Sequence, residues 1–124
     1  MTDIMECYNH LLTLSYDEAI KAMLSNYDSA QDDFFRENSY KRFLNGEIKS
    51  IAKGKYSRTI EGLYCHHIDE NTYENLGNKS CIAFFKYPFE LQKKDRLIYC
   101  DLIEHLILHV LITKETDGAF CKAR

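Results

Sequence analysis

At 124 residues, with 45% hydrophobic and 28% charged, the chain fits one compact domain with a modest core, and its composition excludes disorder, low complexity and solenoid repeats. No apolar stretch is long enough to span a bilayer, the opening Met-Thr-Asp-Ile-Met-Glu lacks the features of a secretory signal, and five cysteines without a CxxC pair fit a reducing compartment, so a cytoplasmic protein is expected. The net charge of −3 argues against nucleic acid as a partner only on average, because residues 1–35 hold seven acidic residues and one lysine, whereas residues 36–58 hold seven basic residues and two acidic ones.

Ile4, Tyr8, Leu11 and Leu12 repeat at helical spacing and predict a helix over 3–13. Ser15 with Glu18 reads as a capping box for a second helix, whose face is Ala19, Ile20, Met23 and Leu24 and which ends near Asn26. Both helices read as scaffold and not as site. Phe34, Phe35, Tyr40, Phe43 and Leu44 predict a third helix over 31–44, broken at Ser39 and stopped by Asn45-Gly46. The lysine-rich segment 47–59 reads as a short helix into a loop or as an exposed basic connector, and Lys53, Lys55 and Arg58 are its phosphate-contact candidates.

From Ile60 the texture becomes strand-like, and the strand ends at His66-His67. A polar run, 69–78, follows. Residues 81–85 are apolar and of ambiguous type, Pro88 breaks the chain, and 96–100 reads as a second strand. Asp101 is placed to cap a helix that runs to about Lys114, with Asp117-Gly118 as its exit. The expected organisation is α+β: a helical region with a basic connector over 1–59, a core over 60–116 and a tail over 117–124.

His105 and His109 stand at i and i+4, so their rings leave one face of that last helix one turn apart. Two imidazoles in so apolar a helix cost about 1 to 3 kcal/mol each unless they find partners. The pair His66-His67 is the candidate partner, and together the four rings could hold one divalent metal ion. Neighbours in a regular strand point to opposite faces, so the strand must end or bulge for both to enter one site. Asp69 and Glu70 read as carboxylates that orient a ring or as plain loop acidity. His10, alone on the first helix, reads as an ordinary surface residue. A rival arrangement joins Cys65, Cys100, His105 and His109 in a tetrahedral, structural zinc site.

The doublet ending in His at a strand terminus, followed by His105 and His109 on a helix, resembles the HNH (ββα-metal) endonucleases, and small HNH-like proteins of Gram-positive bacteria and their mobile elements in particular. The resemblance spans residues 60–113 and implies N-terminal helices packed on a C-terminal ββα-metal core. It further implies hydrolysis of DNA phosphodiester bonds, with His67 as general base, His66 and His105 as metal ligands, and His109 completing the shell or touching phosphate. The cation would be Mg, Mn, Zn or Ni. Arg96 stands where the family has Asn, so Asp95 or Asp101 is expected to supply the missing acceptor. A catalytically lapsed regulator that binds DNA or protein is the alternative implied by that change. The apolar helix 102–112 would be covered by the N-terminal helices or in part by a second copy, forming a homodimer.

Overall fold

A computed structural model describes residues 2–118, with side chains from residue 5 onward; of the expected tail over 117–124, residues 119–124 lie outside the described residues. Helix α1 (Thr2–Leu12) and helix α2 (Tyr16–Tyr27) come first. At the start of α2 the Ser15 hydroxyl accepts the Glu18 N–H and the Glu18 carboxylate accepts the Ser15 N–H, so the two groups satisfy one another's open helix end. Helix α3 is shorter than the hydrophobic spacing predicts, Glu37–Leu44 instead of 31–44.

Residues 31–36 stay outside the helix, in an irregular, bent path, because distant backbone takes their hydrogen bonds. Phe34 N–H donates to the Gln92 carbonyl and Arg36 N–H to the Ala52 carbonyl, while the Phe34 carbonyl accepts from Gly54. The Asp32 and Asp33 carboxylates accept from the Lys55 and Lys94 N–H groups. Tertiary pairing thus overrides local helix preference. Gly54 is required for this approach, since a Cβ there would run into the Asp33 carbonyl. The segment 47–58 is a connector without helix, and Thr59–Glu61 forms a 3-10 turn with Ile60 fully exposed, so strand β1 starts only at Tyr64 (Tyr64–His67).

Residues 81–85 belong to helix α4 (Lys79–Phe85), capped by the Asn78 side chain, and strand β2 (Leu97–Cys100) leads into helix α5 (Leu102–Glu115). Asp101 and Glu104 repeat the reciprocal cap at the start of α5, each bond 2.7 Å long. The two strands pair antiparallel with Tyr64 opposite Cys100, Cys65 opposite Tyr99, His66 opposite Ile98 and His67 opposite Leu97.

That register divides the small sheet into two faces. Ile98 and Cys100 join Leu11, Tyr16, Ala19, Ile20 and Met23 from α1 and α2 with Ile107, Leu108, Leu111 and Ile112 from α5. Leu97 and Tyr99, on the other face, pack with Ala30 and Leu63. A third cluster of Phe35, Tyr40, Leu76, Ile82, Tyr87 and Phe89 ties α3 to the long excursion between the strands. The chain is therefore α+β, with α1 and α2 docked on a strand, strand, helix unit. Its apolar clusters join residues from both sides of position 59. Among the described residues no helix is long and apolar enough to cross a membrane.

Candidate metal centre

His66 leaves β1 on the face that meets α5. There it finds His105 and His109, each with its ring centroid 5.4 Å away and roughly edge-on. One ligand-capable nitrogen from each ring lies within 4.8 Å of the others. The Nε2 atoms of His105 and His109 are 3.1 Å apart, close to the roughly 3.3 Å that separates two nitrogens bound to one tetrahedral zinc. The donor set thus fits a divalent cation.

The electrostatics favour the ligand-competent form. Burial, reinforced by the neighbouring rings of His105, His109 and His67, holds His66 well below the ordinary imidazole range. Burial and the adjacent His109 bring His105 to about 4, and burial lowers His109 as well. Neutral rings are what a cation needs, since ligands must shed their protons before they bind.

His67 does not join them. Strand β1 continues regularly through both histidines, so no bulge turns the second ring inward, and His67 enters the opposite face against Phe34 and Gly77. The Gln92 amide N–H donates to the Leu76 carbonyl at 2.8 Å, which leaves its oxygen to accept from His67 Nε2–H at 2.7 Å. The ring is 3% exposed, and burial takes it down to about 4. The general-base assignment made from the sequence thus falls on a packed, hydrogen-bonded ring away from the cluster.

Arg96 makes a bidentate pair with Asp69, at 2.9 and 2.6 Å, and so ties the turn after β1 to the entry of β2. Asp95, the neighbouring carboxylate, is exposed on a turn. Asp101 instead caps α5 and accepts from Tyr8 Oη at 2.8 Å. Glu70 lies 3.9 Å from His67 Nδ1, beside that ring and not beside the cluster.

The basic candidates separate too. Lys53 lines a cavity with Ser50, Gly77 and Lys79, and Lys55 is exposed, whereas Arg58 borders a cleft of about 210 Å³ that His105 and Tyr64 also line. Arg58 is paired with Glu61 and sits 4.8 Å from the Tyr99 ring centre. The Cys65, Cys100, His105, His109 arrangement does not form, because successive register positions send Cys65 to the face of Tyr99 and Cys100 to the face of α5.

Two residues at these sites were not singled out by the sequence. Gln92 lies in an irregular stretch distant from His67. Tyr16 lies on a helix read as scaffold, yet its hydroxyl is 2.7 Å from His66 Nε2. Its one advance mark is that a buried tyrosine needs a partner for its O–H. No protein-family model, curated protein or solved structure matches this chain.

Proposed function

We propose that the chain is a metal-dependent phosphodiesterase of the HNH type acting on DNA, with His66, His105 and His109 as ligands of one divalent cation. The supporting observation is the convergence of these three neutral imidazoles, from a strand and the helix that follows its partner strand, within 4.8 Å. A set of imidazoles without a carboxylate suits Zn or Ni better than Mg or Mn. Three protein ligands leave room for water and phosphate, as in catalytic and not structural zinc sites. When bound, the cation supplies Lewis acidity toward a phosphoryl oxygen and toward the attacking water.

The remaining tasks fall to the chain itself. Arg58, on the wall of the cleft that His105 lines, is the group placed to take a phosphate, exchanging Glu61 for it. Tyr64 lies nearly parallel to His105, with ring centroids 6.2 Å apart. His67 braces the fold and accepts no proton from water in this scheme; a bound cation would lower the pKa of its water enough for that proton to pass to bulk solvent. A second reading, a lapsed HNH-like domain that binds without cutting, is favoured by the withdrawal of His67 and by the exposed apolar side chains Leu102, Leu106 and Val110 along α5.

Nicking of supercoiled plasmid with Mn, Mg, Ni or Zn decides between them. The hydrolase reading expects ion-dependent nicking that disappears in His105→Ala and weakens in Arg58→Ala. Tight uptake of metal with no nicking under any of the four ions would leave the binding reading in its place.

A further inference from the structure

We infer that Tyr16 is a positioning residue for the histidine cluster: its hydroxyl, held by the Ile68 carbonyl, fixes His66 in the Nε2–H tautomer and so leaves Nδ1 unprotonated as the nitrogen able to share a cation with His105 and His109. The inference rests on the metal-holding reading above and adds to it the group that orients one ligand.

A tyrosine hydroxyl has one hydrogen to give. Here it goes to the Ile68 carbonyl at 2.7 Å, because a carbonyl can only accept. His66 Nε2 lies 2.7 Å from the same oxygen, so the imidazole must be the donor in that contact. A neutral imidazole has a single N–H, and the lone pair is then on Nδ1. Ring nitrogens that ligate metals are commonly oriented in this way, by a hydrogen bond to the other nitrogen.

Tyr16 is itself held firmly enough to set that orientation. It is the first residue of α2, directly after the Ser15 cap, and its backbone N–H donates to Glu115 Oε2 at 2.7 Å. Its ring is 1% exposed, packed among α2, α5 and β2. The ends of two helices thus converge on the backbone of one tyrosine. Ile68 follows His66 by two positions, so the hydroxyl reads the ring and the strand exit together.

The test compares Tyr16→Phe with Tyr27→Phe. The second variant removes a comparable hydroxyl, one that donates to Glu104 at 2.7 Å in the same region, and so reports general loosening. Cobalt affinity should fall about 10- to 100-fold in Tyr16→Phe, the size typical of an orienting partner, and stay at the wild-type value in Tyr27→Phe. Equal affinity in Tyr16→Phe and wild type, or equal loss in both variants, overturns the inference. The nitrogen NMR spectrum of the metal-free protein is the second arm, and it decides even if wild type takes up no cobalt. Wild type should show His66 as one Nε2–H tautomer and Tyr16→Phe a mixture; a wild-type Nδ1–H form, or no change on substitution, overturns it.

Discussion

His66 and His67 are consecutive, chemically identical and almost equally buried, at 2% and 3% exposure, yet they occupy two different physical situations. On the α5 face, His66 meets two more imidazoles and a tyrosine hydroxyl. On the other face, His67 meets an amide oxygen, aromatic carbon and, 3.9 Å from its Nδ1, the Glu70 carboxylate, and the metal-capable cluster of the described residues does not include it. The difference teaches that in a strand the alternation of faces outranks residue type. A doublet of equal side chains is divided by the backbone before either can choose a partner.

Substitutions on the two faces should therefore fail in different ways. His105→Ala and His109→Ala together should weaken cobalt binding beyond the roughly 100-fold limit of an orienting residue, as read by titration, with little change in the midpoint of urea unfolding for the metal-free protein. His67→Ala should do the reverse. It leaves a cavity and strands the Gln92 oxygen, a loss of about 2 to 4 kcal/mol in urea unfolding, with cobalt affinity kept. Loss of cobalt binding in His67→Ala at unchanged stability would erase the distinction between the faces.

Acid sharpens the comparison. Unfolded histidines protonate near pH 6.5, whereas burial holds folded His67 and His105 at about 4 and lowers His66 and His109 too. Between those limits the unfolded chain binds more protons, so the metal-free protein loses stability as pH falls from about 6.5 toward 4 and has its full share above that window. Unfolding midpoints at about pH 7 and about pH 5 should show the drop, and His67→Ala should shrink it. The smallest effect belongs to Arg96→Asn. It removes an ion pair whose arginine is 42% exposed, costing about 1 kcal/mol or less, with metal affinity unchanged.

Much of the scaffold was readable because its signals are local. The Ser15 and Glu18 pair, the Asp101 cap and the i, i+4 histidines each announce themselves within a single turn of helix. The break at Pro88 and the exit at Asp117-Gly118 were legible for the same reason. Residues 31–36 misled because their apolar spacing is helical while their hydrogen bonds go to Gln92, Ala52 and Gly54. The fate of His67 hung on whether β1 stays regular for one more residue, and that depends on pairing with Leu97, thirty positions away in sequence. Tyr16 escaped notice because its partner is met only once α2 has docked.

The long-range ties described between the chain's two ends also set how it must fold. Tyr8 reaches Asp101 across 93 positions, and Tyr16 reaches Glu115 across 99. The inner faces of α1 and α2 find their cover mainly in β2 and α5, so neither helix gains much until those segments exist and loop closure has been overcome. Folding should then be slow for a chain this small, on the order of milliseconds to seconds, and both ends should gain protection from hydrogen exchange in the same step.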